Sequence, residues 1–335
     1  MPDAKRLAIV IVTWNVRDLV LGCLRSVYED LARSALHGEV WLVDNCSSDG
    51  TANAVREQFP QVRLIEPGEN LGFAAGNNAA LRAMGFSGEP GRPGGADLPD
   101  YVLLLNPDTV VIPGALQALV NGLEQSGAGL AGARLVYGDG SFQHSAFAFP
   151  GLMQLIIDLF PVPGRLIESR LNGRYPRAWY EGGQPFAVDH PLGATFLLRR
   201  EVIEETGLFD EGFWLYCEEI DWALRIRQAG WGAVCVPAAE VIHYAGQSAS
   251  QVRPLALVNL WTARLRLYRK HYTPLKRLLA LWIVRVGMNR MIQRIARDSS
   301  LEEGYRRELV QACWEVIRHT RRGGRRAESW PGWRG

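Results

Sequence analysis

Small polar and acidic side chains recur in this chain at the points where apolar runs stop. Thr13-Trp14-Asn15 follows the first run, and Asp44-Asn45-Cys46-Ser47-Ser48-Asp49-Gly50 the second. The third leads into Asn70-Leu71-Gly72-Phe73-Ala74-Ala75-Gly76-Asn77-Asn78, and the fourth ends in Asn106-Pro107-Asp108. In that last triplet a carboxylate stands beside an amide, with proline fixing the backbone between them. Such a pair suits a hard divalent cation that keeps waters and takes substrate phosphates, and the same triplet is also good turn chemistry. Asp44 can accept hydrogen bonds from a nucleobase or ribose, or act with its neighbours as a cap; Ser48 and Asp49 read first as caps.

Glu218-Glu219-Ile220-Asp221 is a third constellation. On a helix, Glu218, Asp221 and Arg225 share one face, while Glu219 points about 100° away from Glu218. Carboxylates in a first turn gain from the helix dipole, and an Asp–Arg pair four apart is a common surface feature. The preceding residues 209–216 are rich in aromatic side chains, however. A carboxylate set among Phe213, Trp214 and Tyr216 can have the raised pKa of a general base. His243 ends a short apolar run and reads either as a structural histidine or as a ligand.

These residues need a scaffold that brings the ends of several strands together. Residues 7–12 form a continuous β-branched run, the pattern of a buried strand. Strands are expected also at 40–43, 62–65 and 101–105, with helices at 17–28, 51–59 and 74–84. That alternation indicates βαβ units and a parallel sheet with helices on both faces, in which ligands bind beyond the carboxyl ends of the strands. Residues 85–99 hold five glycines and three prolines and read as a surface loop. Further on come a helix at 115–125, a strand at 130–137, an irregular and partly helical excursion at 142–180, and an ordered strand region at 188–198. A helix at 218–229 and closing strands at 231–236 and 241–244 complete the body.

Composition narrows the classes. The 335 residues carry 37 Lys+Arg against 35 Asp+Glu, with 47% hydrophobic and 21% charged residues. This is ordinary globular material, which excludes a largely disordered chain, a collagen-like fibre and a small disulfide scaffold. The five cysteines show no Cys-x-x-Cys pair and read as free thiols in a reducing cytosol. The apolar run at 7–12 is too short for a signal peptide, so the expectation is a chain that starts folding at its first strand. Gly72 and Gly76 lack the spacing of a dinucleotide fingerprint, and no Walker A sequence is present, which argues against hydride transfer and a P-loop.

Taken in order, these motifs resemble the family 2 glycosyltransferases, which have the GT-A fold, and within them the bacterial rhamnosyltransferase-like branch that builds cell-surface polysaccharides. The matching residues are Ile11-Val-Thr-Trp-Asn15, Val43-Asp-Asn-Cys-Ser-Ser-Asp-Gly-Thr51, Asn70-Leu-Gly-Phe-Ala-Ala-Gly-Asn-Asn78 and Leu104-Leu-Asn-Pro-Asp108. They continue with Gly193-Ala-Thr-Phe-Leu-Leu-Arg199, Phe209-Asp-Glu-Gly-Phe-Trp-Leu-Tyr-Cys-Glu-Glu-Ile-Asp221 and His243-Tyr-Ala-Gly-Gln-Ser248. The resemblance implies an inverting hexosyltransferase-type enzyme that moves a sugar, rhamnose for this branch, from a nucleotide-diphosphate donor to an acceptor hydroxyl. It implies that Thr13, Asn15, Asp44, Asn45, Gly72, Asn77 and Asn106 bind the donor nucleotide. It further implies that Asp108 and His243 hold Mg²⁺ or Mn²⁺ on the diphosphate, and that Glu219 is the base, with Asp221 in reserve. Two positions depart from the family pattern. Asn106 stands where Asp-x-Asp has its first acid, and Glu219 stands where the base is usually Asp.

The resemblance ends at Ser248. From Arg253 onward there are 19 basic and 6 acidic residues, a charge of +13, against −11 for the rest. Such asymmetry suggests an anionic partner. No acid occurs between Gln251 and Arg297, and the longest apolar run there, 278–284, has seven residues. A span needs about 20, so a basic stretch with Trp and Leu on it reads as a membrane-surface element. The expected organisation is a GT-A domain at 1–250 and a basic helical, membrane-associating region at 251–335. The expected protein is peripheral on the cytoplasmic face of the membrane, takes a glycan or lipid-linked acceptor and binds no nucleic acid; it is compatible with a homodimer. Two other readings share the α/β nucleotide pocket: a sugar nucleotidyltransferase, which would need a Gly- and Lys-rich loop after the first strand, and a non-catalytic nucleotide- or glycan-binding protein.

Overall fold

A computed structural model describes residues 5–245 and 253–321. Residues 246–248 of the last motif and the Gly/Arg-rich end beyond Arg321 lie outside the described residues. In chain order the elements are β1 (Arg6–Thr13), α1 (Arg17–Leu31), β2 (His37–Asp44), α2 (Thr51–Gln58), β3 (Arg63–Ile65), α3 (Gly72–Met84), β4 (Tyr101–Leu105) and β5 (Thr109–Val111). Then come α4 (Ala115–Ser126), β6 (Leu130–Val136), β7 (Phe142–Gln143), β8 (Ala146–Phe147), α5 (Leu152–Leu159), α6 (Gly164–Ile167), α7 (Arg177–Glu181), β9 (Phe186–Val188) and β10 (His190–Pro191). The last are β11 (Thr195–Arg199), α8 (Arg200–Thr206), α9 (Glu218–Gln228), β12 (Ala233–His243), α10 (Arg253–His271), α11 (Pro274–Arg297) and α12 (Glu303–Arg321).

The chain forms two compact units, and they do not follow a single cut near residue 250. The first gathers residues 5–149, 174–211 and 219–245; the second gathers 150–173, 212–218 and 253–321. The irregular excursion at 142–180 is therefore divided between them.

In the first unit the sheet runs β3-β2-β1-β4-β11-β6-β12-β5. β1 pairs parallel with β2 and β4, and β2 with β3. β11 enters antiparallel between β4 and β6, so the sheet is mixed beyond its parallel N-terminal half. Alternate residues of β1 divide between two cores, as the period of a strand requires. Leu7, Ile9 and Ile11 pack with Val20 and Leu24 of α1 and Leu119 and Leu123 of α4. Ala8, Val10 and Val12 pack with Ala80 and Leu81 of α3, Val202 of α8 and Trp222 of α9. Helices thus cover both faces, as the continuous apolar strand predicts.

Three expectations change in detail. The two closing strands are one strand, β12, with an irregularity between Val236 and Glu240 that shifts its register on β6. The region 188–198 is three short strands because each pairs with a different neighbour: β9 with β12, β10 with β8, and β11 with β4 and β6. The loop at 85–99 is a loop, but one pinned to α8: the Gly91 N–H donates to the Glu204 carbonyl and the Gly94 N–H to Glu204 Oε1.

The second unit is helical. Arg264 of α10 is paired with Asp158 of α5 at 2.7 Å, and Tyr272 Oη donates to the Pro150 carbonyl at 2.8 Å. α11 buries Ala280, Ile283, Val284, Gly287 and Met288. Gly287 allows close approach, since a Cβ there would fall 2.7 Å from Leu159 Cδ1. Among the described residues no helix is long and apolar enough to cross a membrane.

Candidate active site

Thr13 and Asp44 are cross-strand partners at the carboxyl ends of β1 and β2. Both are buried, and Thr13 Oγ1 has no hydrogen-bond partner among the described residues. Burial pushes the Asp44 carboxyl above its usual range, against the Ser47 N–H that donates to Oδ1 at 3.2 Å. A buried carboxylate and an unpartnered hydroxyl side by side are groups that a ligand's donors and acceptors would satisfy.

The other expected donor residues are engaged in building the loops. Asn15 sits at φ +52, a conformation asparagine tolerates better than most residues. Its N–H donates to Ser47 Oγ and its Oδ1 accepts from the Ser48 N–H at 2.7 Å, tying the β1 loop to the β2 loop. The Asn45 amide donates to the Gly72 carbonyl at 3.0 Å and accepts from the Leu71 N–H. Gly72 opens α3 at φ +77, and Asn77 donates to the Phe73 carbonyl one turn back. Asp49 is the cap that its type suggested: Oδ1 accepts from the Thr51 N–H and Oδ2 from the Arg17 N–H, at the starts of α2 and α1. Although burial acts to raise it, hydrogen bonds from Thr51 and Arg17 hold its carboxyl below the usual range.

Asn106, Asp108 and His243 converge on one point. Asp108 Oδ1 and Asn106 Nδ2 each lie 3.5 Å from His243 Nε2. The far ring nitrogen, Nδ1, faces Gln143 Oε1 of β7 at 3.2 Å, the kind of outer partner that orients a ligating histidine. Pairing of β12 with β5 sets His243 opposite Thr109, and the Tyr244 N–H donates to the Asp108 carbonyl at 3.0 Å. The 3.5 Å separation exceeds an ordinary hydrogen bond. A carboxylate, an imidazole and an amide, all close by and not closed on each other, fit a divalent cation whose remaining ligands are phosphate oxygens and water. Among the described residues no group of three or more His, Cys, Asp or Glu side chains is arranged for a metal.

Glu219 joins this loop through a short strap. The Ala194 carbonyl accepts the Asn106 N–H at 3.0 Å. The preceding Gly193 lies against Glu219, where a Cβ would meet Glu219 Cγ at 3.5 Å. Asp221 does not join them. It is 0% exposed and bonded to Arg225 Nε at 3.1 Å, while the other arms of Arg225 hold the Thr206 and Leu208 carbonyls. Through Arg225 this pair ties α9 to the end of α8.

Sequence reasoning passed over two supporting residues, Gln143 and Asn78. Asn78 Nδ2 donates to the Phe209 carbonyl and Glu211 Oε1, and its Oδ1 accepts the Phe209 N–H. Asn78 lies inside a quoted motif, but whether it faces ligand or core depends on which helix face is buried.

Residues 8–207 match the family described as Glycosyl transferase family 2. The chain belongs to that family. It is therefore an enzyme that transfers sugar, and the sequence-level resemblance extends to rhamnosyltransferases. The glycosyltransferase is 32% identical over 220 residues to the N-acetylglucosaminyl-diphospho-decaprenol L-rhamnosyltransferase of Mycobacterium tuberculosis, covering 62% of this chain and 67% of that one. To the rhamnosyltransferase WbbL of Escherichia coli it is 29% identical over 245 residues, covering 71% and 83%. Its fold is shared with the mannosyltransferase PcManGT of Pyrobaculum calidifontis, solved with GDP-Man and Mn²⁺, at TM-score 0.56 and 18% identity over 95% of this chain and 88% of that one. GalNAc-T7, solved with UDP, GalNAc and Mn²⁺, aligns at TM-score 0.52 and 18% identity over 72% of this chain and 43% of its own. The GT-A expectation thus holds.

Proposed function

We propose that this glycosyltransferase moves a sugar from a nucleotide-diphosphate donor to a hydroxyl of a lipid-linked glycan, with inversion at the anomeric carbon, in the synthesis of cell-surface polysaccharide. The observation that carries the reading is the convergence of Asn106, Asp108 and His243 at one point, beside the strand ends that bear Thr13 and Asp44. Rhamnose is the sugar named for two of its relatives, and the mycobacterial relative's name carries a diphospho-decaprenol.

On this reading Thr13 and Asp44 meet the nucleoside, in the pocket edge that Asn15, Asn45, Gly72 and Asn77 shape. Asp108 and His243, with Asn106 as a neutral neighbour, would hold Mg²⁺ or Mn²⁺. The cation supplies charge neutralisation on the departing diphosphate. Glu219 accepts the proton of the acceptor hydroxyl as that oxygen bonds to the anomeric carbon. The bond from that carbon to the diphosphate oxygen breaks, and its electron pair leaves with the nucleoside diphosphate. Loops built on rigid strand ends hold these groups in place before the substrates arrive, which is where much of such a rate enhancement arises.

The test is a thermal-shift panel of UDP, dTDP, GDP and CDP, each with Mn²⁺ or with EDTA. A ligand that binds only the folded state raises its apparent stability. One nucleotide is expected to give a metal-dependent shift that disappears in Asp108→Ala. No shift with any nucleotide in either condition would overturn the donor site.

A further inference from the structure

We infer that α11 (Pro274–Arg297) lies on an anionic lipid surface through the face that carries Leu275, Leu278, Leu279, Trp282 and Val286. These five side chains recur at spacings of three, one, three and four residues, which places them on one stripe of a helix. They are five of the twelve large hydrophobic residues left exposed among the described residues, with Leu275 69% and Trp282 63% exposed. The opposite face is already occupied by the packing of Ala280, Val284, Gly287 and Met288, so the outer stripe is not a second side of the same core.

Charge selects the occupant. α11 contains six basic residues and no acid. Arg285 is committed to Thr320, donating to its Oγ1 at 2.6 Å, while Arg290, Arg294 and Arg297 are exposed along the last two turns. Lys276 stands over the Tyr272 ring at 3.8 Å, and Lys270 at the end of α10 is exposed. An apolar stripe with a tryptophan in it and a basic border is the pattern of a helix in the plane of a membrane. Self-pairing through this stripe would set two acid-free, basic borders against each other, and nucleic acid would leave the stripe in water. The inference deepens the lipid-linked acceptor of the proposed function: it gives the enzyme a means of staying where such an acceptor is held.

The experiment floats the full chain with phosphatidylcholine vesicles and with vesicles containing about 30% phosphatidylglycerol, at low and high salt. Co-flotation is expected with the anionic vesicles alone, weakening as salt screens the basic border. Leu278→Glu and Trp282→Glu are expected to lower bound protein at least about tenfold. Both positions are open to solvent, so the unfolding midpoint should stay at the wild-type value, and the nucleotide shift in the same preparations reports the donor site separately. The inference is overturned if the wild type stays unbound, if neutral and anionic vesicles bind equally, or if both variants float as the wild type does. A concentration-dependent dimer dispersed by the same substitutions, with no flotation, also overturns it. Flotation without any nucleotide shift would instead count against the donor site and leave this surface standing.

Discussion

His243 Nε2 stands 3.5 Å from Asp108 Oδ1, although the two residues are 135 positions apart in the chain. The pairing of β12 with β5 brings them together, and Gln143 orients the ring from its other side at 3.2 Å. The resulting donor set lacks a second carboxylate because Asn106 occupies the neighbouring position.

Replacing the outer partner should be felt at the cation. Gln143→Leu leaves Asp108 and His243 in place but removes the acceptor at Nδ1. Outer-shell partners of this kind are worth about 10–100-fold in metal affinity. Titrating Mn²⁺ against the nucleotide-induced thermal shift should show a midpoint moved upward by that factor, and an unchanged midpoint would remove Gln143 from the site.

Glu219→Gln should separate binding from chemistry. Proton abstraction by a positioned side chain contributes about 10²–10⁴-fold, so the turnover number should fall in that range while the donor's thermal shift is kept. Glu219→Asp, with a shorter reach, should retain part of the activity. Equal losses in donor binding and turnover would mean that Glu219 holds structure instead.

Asp221→Asn should behave quite differently. This carboxylate is fully buried against Arg225, whose remaining nitrogens hold two carbonyls at the end of α8. Removing one partner of a buried ion pair costs about 3–5 kcal/mol. The expected result is a lower denaturant midpoint with an unchanged slope; loss of turnover without loss of stability would return Asp221 to the catalytic group.

Asp44 carries a pH prediction. Burial raises its carboxyl pKa above the usual 3.8, so the folded chain holds this proton to a higher pH than the unfolded chain does. Its stabilising contribution is complete below the unfolded pKa and is lost as pH rises through the folded value. Compared over about pH 3 to pH 8, Asp44→Asn should gain stability relative to the wild type as pH rises, then level off. At neutral pH it should be at least as stable as the wild type yet bind nucleotide about tenfold or more weakly, a loss of about 1.4 kcal/mol. A variant that is both less stable and equally competent in binding would contradict the assignment.

Much of this molecule was legible in residue order. Residues 7–12 announced a strand buried on both faces, the helices between the first four strands followed from spacing, and the motifs fell at strand ends because apolar packing stops there. Position rather than type separates the two aspartates: Asp44 closes a buried strand, while Asp49 stands in the loop before a helix, where it caps. The sequence could not say how the second half closes. β11 enters antiparallel between β4 and β6, β12 runs as one strand through an irregularity, and residues 150–173 leave the first unit for the second; all three depend on pairing between distant segments that local pattern does not encode. The same holds for the site. Glu219 and Asp221 are two residues apart and chemically alike, but the helix turn sends one toward Gly193 and the other into the Arg225 pair. Asn15, Asn45 and Asp44 look equally suited to a ligand, yet two of them have their hydrogen bonds filled by neighbouring loops. Composition and periodicity determined which residues were available for chemistry; tertiary packing decided which of them kept groups free for it, because a buried polar group must find a partner and only the folded chain shows where that partner is.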